Sequence, residues 1–531
     1  MPTERTGYNN LTIEAYQGFS TTARADPAGD LARVERIRYS TQYPAGFYSD
    51  AEFFVPRDPT ASWPFVGNDR LVIRNGLEIA WEGAIGKVGY VAGAGAEQGR
   101  TVYGTGWWGR LAQQRGWNKP WADNRLTQDV WVESSASTAL VYVDRLNRLR
   151  FTPKGVAFAA SDTGVLQYDM PTGTCIVRFT MNASLQEQAQ NWELRMRDYT
   201  APSTLQNLTT STSAAWDHTL ASPRQSLRLQ YLSNAAQTPT EQGSYYGQVA
   251  TVMMYSETGA INACAITNDI IGHVSGINSD QTQVTGASLS LVPFVTDGYE
   301  YIGDILLRAA AYGDDAFNAL APNFNHSESA TTPTGEPVLA LEVQPGLDDY
   351  EYAVRLDEPN VVPPLEIIQD NDGIYNYIIV RYRDELNNRD VYITPDDNSA
   401  LTDNTSVTTY GFHSYRYDAG LTTAANALSL GRRLLASRKD PRFYASGPLT
   451  VKGYIRGKNG NPVPASLIRA GRRVRIENFL SDEVGVSDAG LTFLITATTY
   501  NDTDETCAIS CGVPDSMAVM IARLSSGGRV S

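Results

Sequence analysis

Leu71-Val72-Ile73-Arg74-Asn75-Gly76-Leu77-Glu78-Ile79-Ala80-Trp81-Glu82-Gly83 is the stretch whose reading decides the fold. Leu77, Ile79 and Trp81 alternate with Glu78, Ala80 and Glu82, which is the period-2 pattern of a strand with one buried face. Leu71, Val72 and Ile73 precede Asn75-Gly76, and Asn-Gly supplies the two positive-φ residues of a tight hairpin turn. The stretch therefore predicts an antiparallel hairpin and a β-rich start to the chain. The composition agrees. Of 531 residues, 42% are hydrophobic and only 19% charged, with 29 Tyr and 9 Trp, so the chain fits a β-rich protein of three or four domains.

The net charge is −15, and no cluster of Lys and Arg stands out. Nucleic-acid binding by counterion displacement is therefore not expected. The four Cys are 175, 264, 507 and 511. Cys507 and Cys511 lie four apart on one expected strand, and at about 3.3 Å per residue they are too far apart to bridge. All four are read as reduced, mostly buried thiols. Met1-Pro2-Thr3-Glu4-Arg5 lacks a signal peptide's apolar core, and no apolar run approaches membrane-spanning length, so folding in a cytosol is expected. Without secretion, the Asn-X-Ser/Thr triplets at Asn182 and Asn404 are chance.

From about residue 150 the alternation lengthens. Trp192, Leu194 and Met196 alternate with Glu193, Arg195 and Arg197, and Leu227, Leu229 and Tyr231 with Arg228 and Gln230. Cys175, Val177, Phe179 and Met181 are read as one face, and Val249, Thr251, Met253 and Tyr255 as another. These runs predict a β-sandwich, and the stretch resembles a jelly-roll sugar-binding module. Then Ala263, Ile266, Ile270, Ile271 and Val274 fall on one helical face, with Gly276 as the stop. A second helix is expected after Asp297, with Glu300 as a capping box, a stripe of Ile302, Ile305, Leu306 and Ala309, and Gly313 as its end. Ile378, Val380 and Tyr382 form a strand whose hairpin partner carries Val391 and Ile393. A helix with Ala424, Ala427, Leu428 and Leu435 in register is bounded by Pro441. Asn459-Gly460 marks another tight turn, and strands follow through Val474 and Ile476, Leu494 and Ile495, then Cys507, Ile509 and Cys511.

Motifs that could carry chemistry are weak. Gly104-Thr-Gly-Trp-Trp-Gly109 fits G-x-G-x-x-G, but it lies in antiparallel surroundings and holds two bulky Trp, so a Gly-rich turn packing Trp107 and Trp108 is the better reading. Asp370-Asn-Asp372-Gly373 lacks a calcium loop's later carboxylate. His218, His273, His326 and His413 show no metal or catalytic spacing, and G-x-S-x-G is absent. Asp314-Asp315 and Asp348-Asp349 are read as solvated loop pairs. No cofactor and no metal are expected. Within the sandwich, Trp192 is read as core, while Trp216, Tyr245 and Tyr246 are the candidates for stacking on sugar rings.

Further stretches carry a family resemblance. Tyr43-Pro-Ala-Gly46 precedes Ala51-Glu-Phe-Phe54, the 71–83 hairpin ends on W-x-G, and Thr101-Val-Tyr-Gly-Thr-Gly-Trp107 follows. Later come Tyr410-Gly411, the helix from Ala424 to Ser437, Val451-Lys-Gly-Tyr-Ile455, Asn459-Gly-Asn-Pro-Val-Pro464, Ile468-Arg-Ala-Gly471, Val474-Arg-Ile476, and the strands from Thr496 to Gly512. Over about 1–130 and 261–531 this pattern resembles the baseplate or tail-tip hub of long-tailed bacteriophages and related injection machines.

The resemblance implies a mainly β chain with a small α/β part. Its first hub β-barrel is expected at 1–125, a connector at 126–149 and the inserted, carbohydrate-binding-module-like sandwich at 150–260. An α/β subdomain would follow at 261–345, and a second hub barrel with an inserted helix at 346–531. It implies a non-enzymatic virion protein, assembled in the host cytoplasm, that closes the distal end of the tail tube as a homotrimer. Its implied partners are the distal tail protein or tube ring, the tape measure protein, and other tip or fibre proteins. DNA would pass through it without specific binding. Mostly acidic or uncharged side chains are then expected to face the axis, with Lys and Arg at subunit contacts, because a basic lining would hold phosphate. The competing expectations are a tail adhesin that binds a host surface glycan and, behind it, a carbohydrate-active enzyme.

Overall fold

The computed structural model describes residues 9–18, 22–26, 29–43, 47–56, 62–92, 97–116, 118–124, 132–133, 139–143, 149–153, 163–169, 176–185, 192–198, 204–208, 213–233, 247–257, 261–279, 294–310, 320–325, 337–343, 349–356, 358–362, 365–384, 389–477 and 491–512. The fold is mainly β.

Six strands open the chain: β1 (Leu11–Tyr16), β2 (Glu35–Gln42), β3 (Phe47–Pro56), β4 (Arg70–Asn75), β5 (Glu78–Val91) and β6 (Gly99–Gly106). They pair antiparallel in the order β1-β4-β5-β6-β3-β2. The 71–83 hairpin is present, with a different turn. Asn75 pairs with Glu78, so the loop is Gly76-Leu77, and only Gly76 takes a positive φ, of 62°. Glycine at the first central position is the type II′ pattern. Asn75 stays in the ladder, where its side chain donates to Ser466 Oγ at 2.8 Å and accepts from the Asn10 amide. Trp81 is fully buried. A Cβ on Gly83 or Gly104 would lie 2.5 or 2.6 Å from its ring, so the two glycines form its slot.

Helix α1 (Trp107–Leu111) follows β6 directly, then β7 (Asn118–Asn124). The insertion comes next: β8 (Val132–Glu133), β9 (Ala139–Val143), β10 (Leu149–Pro153), β11 (Thr163–Asp169), β12 (Ile176–Leu185), β13 (Trp192–Asp198), β14 (Thr204–Leu208), β15 (Ser213–Arg224), β16 (Ser226–Ser233) and β17 (Gly247–Tyr255). One sheet runs β15-β12-β17-β10-β9 and the other β14-β13-β16-β11-β8. Leu194, Met196, Leu227 and Leu229 are buried as their alternation requires.

Three details differ from the sequence reading. Strands β8 and β9 lie within 126–149, so the stretch read as a connector already supplies both sheets. A register shift between Ile176 and Arg178 buries Ile176 in place of Val177, and Cys175 lies outside the described residues. Finally, β17 also pairs with β7, which pairs with β19, so the inserted sheet continues into the body of the protein. Neighbouring Met253 and Met254 are both buried, and Met253 belongs to the barrel core.

The next unit holds α2 (Ala263–Gly272), β18 (Asn278–Ser279), β19 (Phe294–Asp297), α3 (Ile302–Ala310), β20 (Leu320–Asn325) and β21 (Val338–Val343). Asn262 caps α2 by accepting from the Ala265 amide at 2.8 Å, and the helix ends at Gly272, before the expected stop at Gly276. The Glu300 carboxylate accepts from Arg308 of α3 at 3.1 Å, and the Asp297 side chain of the expected capping box lies outside the described residues. Gly313 lies outside the described residues.

The C-terminal part contains β22 (Tyr352–Arg355), β23 (Val361–Val362), β24 (Ile367–Asp370), β25 (Tyr377–Asp384), β26 (Arg389–Ile393), α4 (Asn404–Tyr410), β27 (Ser414–Thr422), α5 (Ala424–Arg438), β28 (Arg442–Ala445), β29 (Leu449–Lys452), β30 (Tyr454–Gly457), β31 (Pro462–Pro464), β32 (Arg473–Glu477), β33 (Thr492–Asn501) and β34 (Thr506–Gly512). What reads in sequence as one inserted helix is a small α/β unit. In it β25 pairs with β26 and, in parallel, with β27, and α5 covers a separate core of Ile378, Val380, Tyr382, Leu401, Tyr417, Ala427 and Leu430. A parallel pair needs a crossover, and α4 supplies it.

Asp403 caps α4. It accepts from the Ser406 amide at 2.9 Å, and Lys439 sits 2.9 Å away on its other oxygen. The amide bond and then Lys439 hold its carboxyl below the ordinary range. A depressed folded value contributes stability above the unfolded pKa, and that stability is lost as pH falls through the folded one. Asp403→Ala should therefore cost about 1 kcal/mol near neutral pH. The gap to wild type should narrow below pH ~4. Urea melts across that range check this; a pH-independent gap would count against an ionic cap.

The remaining C-terminal strands repeat the first barrel. The order β22-β32-β33-β34-β29-β23 reproduces β1-β4-β5-β6-β3-β2, with β22 running parallel to β32 where β1 is antiparallel to β4. The repeat extends to irregularities: a bulge falls at Gly86 on β5 and at Thr496 on β33. The two halves are one sheet, joined by β2 pairing antiparallel with β33.

Candidate functional site

The seam between the barrels joins the two halves of the chain. Arg38 to Gln42 of β2 lie opposite Asn501 to Ala497 of β33. Alternation points Tyr39 and Thr41 inward. The Thr41 and Thr498 hydroxyls are 2.6 Å apart and both side chains are buried. Thr41 Oγ1 also accepts from the Ala470 amide at 2.9 Å. Tyr39 donates to the Ser466 carbonyl, and its ring centroid is 5.2 Å from that of Tyr500. Burial above all, with Tyr500 beside it, pushes the Tyr39 phenol well up. Asn9 ties the chain start to this seam, donating to the Gly453 carbonyl and accepting from the Ser466 amide. One hydrophobic core runs through both barrels and under α2 and α3. A seam of buried, hydrogen-bonded side chains fixes the geometry of two barrels.

The root of the insertion is fixed by charge. Lys119 of β7 lies 2.7 Å from Asp269 of α2 and 2.9 Å from Glu257, just past β17. Asp269 also accepts from Trp121 Nε1 at 2.9 Å.

Of the sugar-stacking candidates, Tyr245 and Tyr246 lie outside the described residues. Trp216 lies on β15, half-buried, directly opposite Met181, on the face that also carries Phe179 and His218. That is the core side of the sheet. The opposite face here carries Arg178, held to Asp217 by two 2.7 Å bonds and placed over the Tyr255 ring. The Arg178 bond holds the Asp217 carboxyl below its ordinary range.

Gly104–Gly109 spans the end of β6 and the start of α1 in an antiparallel sheet, with Trp107 and Trp108 buried. A Cβ at Gly106 would meet the Tyr48 carbonyl at 1.9 Å, so backbone packing accounts for this glycine. At the Asp370–Gly373 turn, Asn371 accepts from Gln369. Among the described residues no group of three or more His, Cys, Asp or Glu could hold a metal ion. His218 lies 3.0 Å from Gln206, His273 is 4.0 Å from Asp269, and His413 is 3.0 Å from the Tyr410 carbonyl; His326 lies outside the described residues. Cys507 and Cys511 are free and buried, and burial pushes both thiols up to about 12. Asp349 is exposed beside Lys458.

Local patterns do not point to the seam residues Tyr39, Thr41, Thr498 and Tyr500. A usable signal does exist. Following the two barrels' ladders outward from their bulges sets Phe443-Tyr444 on Phe47-Tyr48, Gln369 on Gln42 and Tyr500 on Tyr90.

No protein-family model matches the chain, and no curated protein matches it. Among solved structures, the chain is similar to a tail protein from Neisseria meningitidis MC58, at 10% identity over 97% of this chain and 99% of that one, with a TM-score of 0.42. It is also similar to the prophage tail protein gp18 from Listeria monocytogenes EGD-e, at 8% identity over 97% and 100%, with a TM-score of 0.40. A further likeness, over 27% of this chain and 98% of the other at 9% identity and a TM-score of 0.18, is to a low-affinity xylan-binding module from Roseburia intestinalis.

Proposed function

We propose that the chain is a structural protein of a long-tailed bacteriophage, the hub at the tip of the tail tube. The observation that carries this reading is the duplicated barrel: two sets of strands in the same order, sharing one sheet and one core. A hub must present a regular surface to a tube of six-fold symmetry. A chain with two like barrels does so as a closed trimer, since two barrels on each of three copies give six. The sequence resemblance falls on the same two regions. The formal charge of −15 suits a channel that lets DNA slide past, provided acidic groups face the axis.

Imaging of intact particles tests this. Three copies in one ring at the tail tip, against the tube, is the expected result, with the tube and tape measure proteins co-purifying. A position on side fibres, or absence from the tail, would overturn it.

A further inference from the structure

We propose that Lys119 and Asp269 condense into an amide, an intramolecular isopeptide bond that locks the base of the insertion. Lys119 Nζ lies 2.7 Å from Asp269 Oδ2 and 2.9 Å from Glu257 Oε1. The three groups come from three places: strand β7 entering the insertion, the residues just past β17 leaving it, and helix α2 of the body. Lys119 and Asp269 are 150 residues apart, so packing and not local sequence brings them together. Other described lysine pairs differ. Lys439 and Lys458 are 38% and 51% exposed, and each meets one carboxylate. Lys119 is 12% exposed and meets two. Its ammonium lies 5.3 Å from the Trp121 ring centroid, and buried Trp121 packs edge-on against Phe294. This aromatic floor keeps water off one side of the pair.

Each group has a place in the reaction. Glu257 takes a proton from the Lys119 ammonium. The neutral amine adds to the Asp269 carboxyl carbon, one bond beyond the oxygen it already touches. Trp121 Nε1 donates to Asp269 Oδ2 at 2.9 Å, so it meets the oxygen on which charge collects at the tetrahedral stage. Asp269 Oδ1, on the side of His273 at 4.0 Å, is the oxygen that leaves. It departs as water with two of the protons the ammonium began with, one of them returned by Glu257. Ammonium and carboxylate become amide and water. Atoms and charge balance, and no co-reactant is needed.

The position of the bond gives it a use. The segment between Lys119 and Asp269 contains every strand from β8 to β17, and so the whole inserted sandwich. A covalent link at its base closes that segment into a loop. Load on the module then reaches the body through the bond, and β7 and β17 are spared being peeled from their sheet. Closing a long loop also restricts the unfolded chain, which favours the folded one. The proposal goes beyond the hub reading and does not depend on it.

Mass spectrometry of the denatured full chain tests this. The expected mass is one water below that of the sequence, and a proteolytic digest should hold a branched peptide joining the Lys119 and Asp269 segments. Lys119→Arg keeps the cation but lacks the amine, so that chain should carry its full sequence mass. Glu257→Gln should slow condensation and leave uncondensed chain when the wild type is complete. A wild-type chain that keeps its full mass after prolonged incubation overturns the proposal and leaves an ion pair. So does a lost water that persists in Lys119→Arg, or one that the digest places elsewhere. A Glu257→Gln chain that condenses as fast as the wild type overturns the part given to Glu257. None of these outcomes touches the hub reading, which imaging of particles tests separately.

Discussion

Glu82→Ala is expected to destabilise the protein by about 3–5 kcal/mol, among the largest effects of any single change. Arg70 and Glu82 form an ion pair with both side chains almost wholly out of solvent, at 1% and 0% exposure. They lie on adjacent strands of the first barrel, with the Arg70 guanidinium over the Tyr16 ring. Removing the carboxylate leaves a cation buried without its counter-charge, which costs far more than the pair contributes. The informative companion is Arg70→Met with Glu82→Leu. Replacing both charges with apolar groups of similar volume removes the desolvation cost along with the attraction, so the double variant should lie much closer to wild type. Urea midpoints decide the matter; a Glu82→Ala protein as stable as the parent would show that solvent reaches the pair.

Trp81→Ala should cost a similar amount, about 3–5 kcal/mol, through the cavity left by a fully buried indole. The glycine slot makes a sharper test possible. Gly104→Ala alone puts a methyl 2.6 Å from the Trp81 ring and should destabilise. In the Trp81→Ala background that clash is gone, so the same methyl should cost little or even fill part of the void. A double-mutant cycle should therefore show strong favourable coupling between the two changes. Additive effects would mean that the glycine serves the backbone and not the ring.

Much of the fold is legible in sequence because it is written in nearest-neighbour alternation. Ile378, Val380 and Tyr382 pair with the strand of Val391 and Ile393 in the expected hairpin, as Val380–Ile393 and Tyr382–Val391. Leu194, Met196, Leu227 and Leu229 point inward as their period demands. Failures begin where a register shifts or where tertiary contacts override a local motif. The bulge near Ile176 flips one end of a strand, and no residue type announces it. Asn75 carries the signature of a two-residue turn yet stays in its strand, since its amide is engaged by Ser466 from the far end of the chain. The seam is illegible to any local reading, because its pairs are separated by hundreds of residues.

The joining of β2 to β33 also sets an order of events during synthesis. The Thr41–Thr498 contact links positions 457 residues apart. At roughly 5–20 residues per second, a ribosome needs about 20–90 seconds to make the second partner after the first has emerged. For most of that interval, once residue 106 has been made, the nascent N-terminal barrel has all six of its described strands but a bare flank along β2. The charged residues Glu35, Arg36 and Arg38 on that strand are suited to keep the flank from pairing with the wrong chain. Contacts of such long range also make the last step of folding slow. Refolding of the whole chain should accordingly finish with closure of the seam, long after each barrel has formed its own hairpins.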